Sequence, residues 1–258
     1  MTLGRFSLAA TALLALSVVA TAGPVTLDTQ SYNFPLDNGG GGASATLNKT
    51  QNIEIFCVDY ANDIYVPVQG YSANLSTITS GSDLSETRFG GQTSWADLTG
   101  LSGGLGNPFT GSDANTLDNI TSALARYQMA AYLVSTYNLK SNPTNSPAND
   151  GIQQAIWDIL DPNTFAVFSG ATTDNALAGA VNWYSSNSSS NRDSFLANYR
   201  IVSDATMGGC TGSHLVHCGF QEQITAVPEP RFLAVMLVGL LLIGAAFRKM
   251  QAARRANC

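Results

Sequence analysis

Charged residues are scarce in this sequence: they make up 12% of its 258 residues, with 12 Lys and Arg against 18 Asp and Glu. Because phosphate neutralisation needs clustered Lys and Arg, we expect no nucleic-acid partner. Histidine occurs only at His214 and His217, and no metalloprotease motif accompanies them. The glycine runs also lack the flanking strand and helix of a phosphate-binding loop. These absences argue against an enzyme, a cofactor and a nucleotide ligand.

Apolar residues are plentiful, at 45% of the chain with 11 Phe, 9 Tyr and 3 Trp, so disorder throughout is excluded. The charges are unevenly distributed. All 18 acidic residues lie between positions 23 and 230, together with only six basic ones, and the other six basic residues lie nearer the two ends. The middle of the chain is therefore distinctly acidic, which suits solubility outside a cell and repels anionic lipid.

The first 22 residues have the order typical of a secretory signal peptide. Arg5 precedes the apolar stretch Phe6 to Val19, and the small residues Ala20, Thr21 and Ala22 follow it. A basic start, an apolar centre and an A-x-A site predict cleavage after Ala22. We therefore expect residues 1–22 to be a signal peptide.

A second apolar run lies at the other end of the chain. Residues 232–247 are sixteen positions without a charge, with Arg231 before them and Arg248, Lys249, Arg254 and Arg255 after them. As a helix the run spans about 24 Å, a mismatch with a bilayer core of roughly 30 Å that thinning or snorkelling absorbs. The excess of basic residues after the run predicts a transmembrane helix whose C-terminus faces the cytoplasm.

The motif Val227, Pro228, Glu229 and Pro230 stands directly before this run. Pro-Glu-Pro, a short apolar helix and a basic tail, in that order, resemble the PEP-CTERM sorting signal of Gram-negative bacteria, here over residues 227–258. The resemblance implies recognition by an exosortase-type enzyme during a transient stay in the inner membrane. It further implies removal of the tail and delivery to the cell surface or extracellular matrix.

Residues 23–226 are then the exported domain, and their pattern changes from strands to helices and back. This order predicts an α+β fold, a β-rich domain with an inserted group of helices, in addition to the C-terminal transmembrane helix. Stretches rich in Val, Ile, Tyr and Phe predict strands at 25–34, 53–60, 64–78, 201–204 and 220–226. Helical periodicity and caps predict helices at 120–134, 150–160, 175–184 and 192–199. The four-glycine run Gly39 to Gly42 is interpreted as a turn.

The sequence contains four cysteines, Cys57, Cys210, Cys218 and Cys258. Cys258 falls in the tail expected to be removed, so three remain and one thiol lacks a disulfide partner. Cys210 and Cys218 flank a glycine-containing loop, which suits a local disulfide in an oxidising compartment. Because His214 and His217 lie between them, a zinc site is the open alternative for this segment.

Cys57 is thus the expected unpaired thiol, and a glutamine in the second predicted helix gives it a candidate partner. At 100° per residue Gln153 points into the apolar arc of that helix, whereas Gln154 and Asp158 fall on the wet face. A buried amide without partners is costly, so Gln153 should be hydrogen-bonded or chemically consumed. The alternative is that Cys57 is simply a small buried hydrophobic residue.

The Phe56-Cys57 pair in a strand and the segment Gln153-Gln154-Ala155 at a helix start resemble the motifs of bacterial surface thioester domains. Ile152 stands where that family usually has Thr. The resemblance implies that the Cys57 thiol and Gln153 amide condense, releasing ammonia, to an internal thioester that acylates a target surface. With Gln153 expected in the first turn, unpaired backbone N–H groups would stabilise the thiolate and the oxyanion. Trp157, one turn on, would shield the bond or simply pack in the core.

Two hypotheses follow for the exported domain. It is a thioester-type adhesion module, or it is a structural or polysaccharide-associated matrix protein without a thioester, in which Cys57 is merely buried. Either partner, an extracellular polysaccharide or another surface ligand, is compatible with the sequence. Asp59 and Asp63 lack the glycine turn and terminal Glu of a calcium loop and are interpreted as a solvated strand end.

Overall fold

The computed structural model describes residues 24–35, 40–60, 64–89, 122–137, 146–160, 170–205 and 220–227. The strands in this part of the chain are β1 (Val25–Pro35), β2 (Gly41–Leu47), β3 (Gln51–Cys57), β4 (Val68–Thr77), β5 (Tyr199–Asp204) and β6 (Gln223–Ala226). The helices are α1 (Ala123–Ser135), α2 (Pro147–Leu160), α3 (Ala171–Ser186) and α4 (Ser189–Leu196). The fold is therefore α+β, with the helices inserted between β4 and β5, as the sequence predicts.

The strands form a closed antiparallel barrel in the order β1-β2-β3-β6-β5-β4. The first three strands follow one another, and β4 returns to pair with β1 and so closes the barrel. β6 lies between β3 and β5, so strands far apart in the sequence, β3 and β6, are paired. The β2–β3 hairpin turns at Asn48 and Lys49, both with positive φ, and the Asn48 side chain accepts from Thr26 N at 3.0 Å.

Small and branched side chains fill the barrel. Its interior alternates alanines with larger aliphatic residues, the pattern expected where a narrow barrel must be filled without voids. These residues are Leu27, Ala43, Ala45, Leu47, Ile53, Ile55, Ala73 and Val202. Cys57 continues the inward-facing series of β3 after Ile53 and Ile55, because alternate residues share one face of a strand.

A second core forms where the helices pack on the outside of the barrel. Phe56, Ile201 and Ile224 contribute the strand side, and α1, α2 and α3 contribute most of the rest. α2 contacts α1, α3 and β2, so it is enclosed on several sides. This position brings one face of α2 onto the end of the barrel where β2 begins.

The structure corrects several boundaries. The sequence predicts no strand at β2, because Gly, Ala and Ser have low strand propensity and the glycine run is typical of a turn. α2 begins at Pro147 instead of Asp150, and α3 begins at Ala171 instead of Asn175. β3 ends at Cys57, three residues before the expected end, because the ladder with β6 stops there.

The predictions for the two ends of the chain lie outside the described residues. These are the signal peptide at 1–22, the transmembrane helix at 232–247 and nearly all of the sorting signal at 227–258. Within the part of the chain that the structure describes, none of the helices has the length and apolar character needed to cross a membrane. Val227, the one described residue of the sorting motif, follows β6 directly and donates its N–H to Asn198 O at 2.8 Å.

Candidate functional site

Cys57 and Gln153 meet at one end of the barrel. β3 ends at Cys57, and β2 and β6 begin beside it at Gly41 and Gln223. α2 lies across this end and carries Gln153 inward, because residue 153 belongs to its buried face. Both side chains are removed from water: Cys57 is 4% exposed and Gln153 is 0% exposed.

Every polar atom of the Gln153 amide has a partner. Oε1 accepts from Gly41 N at 3.1 Å and from the Tyr137 hydroxyl at 2.7 Å. Nε2 donates to the Cys57 carbonyl oxygen at 2.9 Å. Since backbone N–H only donates and a carbonyl only accepts, these contacts fix which way the amide faces. Two donors on Oε1 are also the arrangement that stabilises negative charge developing on a carbonyl oxygen.

The Cys57 thiol has both a donor and an acceptor beside it. Trp157 Nε1 donates to Sγ at 3.3 Å, and the thiol donates to the Asp59 carbonyl oxygen at 3.4 Å. The Trp157 ring also packs edge-on against Tyr60, with centroids 4.6 Å apart. A hydrogen bond donated to sulfur favours the thiolate over the thiol.

Gly40 makes this close approach possible. A Cβ at position 40 would lie 2.4 Å from Gln153 Cγ, 2.8 Å from Gln153 Cδ and 2.9 Å from Trp157 Cη2. Any side chain here would displace the Gln153 amide or the Trp157 ring. The glycine is therefore required by the packing of α2 onto the start of β2.

Tyr137 holds its proton firmly. Burial, and then the proximity of Cys57 and Asp150, raise its pKa well above the ordinary value for tyrosine. The hydroxyl is therefore neutral near pH 7 and is able to donate to Gln153 Oε1. The ring stacks on Phe56 at 5.2 Å, which ties the donor to the strand that carries Cys57.

A buried charge network supports the loop after Cys57. Asp59 forms an ion pair with Arg88 at 2.7 Å, and both side chains are shielded from solvent. The backbone N–H of Arg88 donates to Glu222 Oε1 at 2.7 Å, and the hydroxyls of Ser203 and Tyr127 also donate to this carboxylate. Burial raises the pKa of Glu222, although these three donors and the Arg88 charge act in the opposite direction.

Three expectations at the site are wrong. Gln153 is the seventh residue of α2 and not part of its first turn, so the donors to its Oε1 are Gly41 N and the Tyr137 hydroxyl instead of free helix N–H groups. Asp158 is 4% exposed and not on a wet face, because α2 is enclosed by α1 and α3. Asp59 is 0% exposed and ion-paired, and so is not a solvated strand end.

The other predicted site residues are not described. Cys210 and Cys218, with the histidines between them, and the motif residues Pro228, Glu229 and Pro230 lie outside the described ranges. In those ranges Cys57 is a buried cysteine, and no group of three or more His, Cys, Asp or Glu side chains is placed to hold a metal.

Sequence reasoning missed Tyr137, Gly40, Gly41 and the Glu222 network. One signal pointed to Tyr137, since it lies three residues after Val134 and continues the apolar spacing of the first helix. Nothing local marks Gly40 and Gly41, whose roles depend on contacts with a helix more than a hundred residues later in the chain.

Together these features define a six-stranded antiparallel barrel that carries, at one end, a buried cysteine against a glutamine amide held by two donors. The chain matches no known protein-family model, no curated protein sequence and no solved structure.

Proposed function

We propose that the domain is a thioester-type adhesion module, with Cys57 as the nucleophile and acyl carrier and Gln153 as the acyl donor. The observation that carries the proposal is the two-donor cradle on Gln153 Oε1, formed by Gly41 N and the Tyr137 hydroxyl. A structural glutamine needs only satisfied polar atoms. Here the donors sit where the oxyanion forms when a thiol attacks the amide carbon.

The reaction balances within the residues present. Cys57 Sγ attacks Gln153 Cδ, the Cδ–Nε2 bond breaks, and the thiol proton leaves with Nε2 as ammonia. Tyr137 and Gly41 N stabilise the oxyanion, and Trp157 Nε1 stays beside the sulfur. The deep burial of Cys57 and Gln153 keeps water from hydrolysing the product.

The proposed location is the surface or extracellular matrix of a Gram-negative bacterium. The signal peptide at 1–22 directs export, and the sorting signal at 227–258, with its membrane helix at 232–247, holds the chain for an exosortase-type enzyme. The acidic middle of the chain and its low charge content support an extracellular working domain.

A second candidate is a non-covalent matrix protein with a buried thiol at position 57. The hydrogen bond from Cys57 to the Asp59 carbonyl favours it, because a resting thiol is satisfied by that contact. In that case Gln153 serves only to join α2 to the barrel.

Intact-mass spectrometry of the protein secreted by its host separates the two. The thioester predicts a mass lower by one ammonia than the processed sequence, and Cys57→Ala should restore the ammonia. Wild-type protein at its full calculated mass, with a Cys57 thiol that reacts on unfolding, would leave the matrix protein as the function. The same spectrum reports whether residues 1–22 and the C-terminal tail have been removed.

A further inference from the structure

A cleft beside the barrel is lined in part by Tyr137, the tyrosine that donates to Gln153. It encloses about 580 Å³, and Phe56, Tyr137 and Tyr199 supply its aromatic walls. Tyr137 connects it to the site, since its hydroxyl donates to Gln153 Oε1. Cys57 and Gln153 are buried and are not among the described residues that line the cleft, so an acyl acceptor in the cleft reaches Cδ only when the Tyr137 side chain moves aside.

The aromatic wall continues as a strip of four rings, of which Tyr132, Trp183 and Tyr199 are partly buried against the helical core. Tyr199 stacks on Phe195 at 6.0 Å, and Phe195 packs against Trp183 at 5.3 Å. Trp183 in turn stacks on Tyr132 at 4.8 Å, with an interplanar angle of 12°. Phe195 is 42% exposed, whereas an apolar ring of this size is usually covered. We call Tyr132, Trp183, Phe195 and Tyr199 the aromatic strip.

The polar groups of the cleft are mostly uncharged. Gln30 and Asn52 present amides to solvent, whereas the hydroxyl of the exposed Ser135 donates to the Tyr132 carbonyl oxygen. The carboxylate of Glu54 is the one charged side chain among the described lining residues, and its Oε1 accepts from Ser44 at 3.4 Å. Rings for stacking, with amides, hydroxyls and a carboxylate for hydrogen bonds, are the groups that bind sugars, and the acidic domain repels polyanions.

We propose that the aromatic strip and the cleft bind a neutral glycan chain, and that a glycan hydroxyl is the acyl acceptor. This inference rests on the proposed thioester. The hydroxyl oxygen attacks Gln153 Cδ, the Cδ–Sγ bond breaks, and the hydroxyl proton passes to the Cys57 thiolate. The products are a Gln153-derived ester of the glycan and a free Cys57 thiol.

Binding is tested first without the chemistry. The full processed protein carrying Cys57→Ala cannot form a thioester, so it reports glycan binding alone. Saturation-transfer NMR with hexamers of β-1,4-glucose, α-1,4-glucose and β-1,4-N-acetylglucosamine should detect one of them. Phe195→Ala in the same background should weaken that binding about fivefold by removing one stacking ring. Tyr65→Ala, at an exposed ring outside the strip, is the matched control and should leave binding unchanged.

The acceptor is tested next with the wild-type protein. Incubation with the bound hexamer should add its full mass through an ester at Gln153 that hydroxylamine cleaves. Addition of N-acetyl-lysine amide but not of the hexamer would overturn the hydroxyl acceptor. Absence of hexamer binding to the Cys57→Ala protein, or equal binding after Phe195→Ala, would overturn the glycan surface. Failure of the thioester itself appears separately, as a wild-type mass without the ammonia deficit.

Discussion

Removal of the Tyr137 hydroxyl tests the oxyanion cradle directly. Phe at position 137 keeps the stack on Phe56 but deletes the 2.7 Å hydrogen bond to Gln153 Oε1. The amide oxygen still accepts from Gly41 N, so the free energy of unfolding should fall by only about 1 kcal/mol, the net contribution of one hydrogen bond. Loss of one oxyanion donor slows reactions of this kind about 10²-fold to 10³-fold. Bond formation should therefore suffer far more than stability.

The assay follows the mass of newly made protein. Wild-type and Tyr137→Phe chains are made in a cell-free system, and the loss of ammonia is recorded by mass spectrometry at increasing times. Tyr132→Phe, which removes a hydroxyl from a ring that stacks on Trp183, is the control and should form the bond at the wild-type rate. A Tyr137→Phe chain that is folded and loses ammonia as fast as wild type would refute the assigned role of the hydroxyl.

Three further substitutions test the surroundings. Gly40→Ala places a methyl group 2.4 Å from Gln153 Cγ, so it should abolish the ammonia loss and lower the free energy of unfolding by about 1–3 kcal/mol in urea titrations. Trp157→Phe removes the donor to Cys57 Sγ, so the thioester should hydrolyse faster, measured as the appearance of free thiol. In the wild-type protein the free energy of unfolding should fall as the pH rises above about 4.5, because burial raises the folded-state pKa of Glu222 above that unfolded-state value. Glu222→Gln should remove this fall.

Each of these has a contrasting control or outcome. Gly179→Ala, a helical position with open space around the new methyl group, should be neutral or stabilising, and an equal loss at both glycines would contradict the packing argument. Unchanged thioester lifetime in Trp157→Phe would remove the protective role. The pH argument is refuted if the fall in stability survives Glu222→Gln. Asp83→Asn should leave this fall in stability unchanged. Hydrogen bonds from Ser85 lower the pKa of the exposed Asp83, which is the opposite direction to the shift at Glu222.

The local residue pattern predicts those strands and helices that are determined by their own residues. The strands rich in Val, Ile and Tyr and the helices with apolar periodicity were placed within a few residues. The burial of Gln153 also followed from helical period alone. The pattern does not predict a strand at β2, because Gly, Ala and Ser have little strand preference. Their small size is instead required by the barrel interior and by the contact with α2.

Long-range contacts determine what the pattern could not reveal. Closure of the barrel depends on β6 pairing with β3 and β5, a choice that no local segment encodes. Asp158 was expected in water because a helical wheel assumes one covered face, whereas α2 is covered on several. The donors on Gln153 Oε1 come from the start of a strand and the residue after a helix, and only the tertiary fold brings them together.

Methylamine labelling with peptide mapping tests the central claim most directly. An intact thioester between Cys57 and Gln153 predicts a thiol that resists alkylation in the denatured protein until methylamine is added. After the addition, the peptide with Gln153 should carry an N-methylamide and the peptide with Cys57 a new thiol. A Cys57 thiol that alkylates without methylamine, beside an unmodified Gln153, would contradict the account.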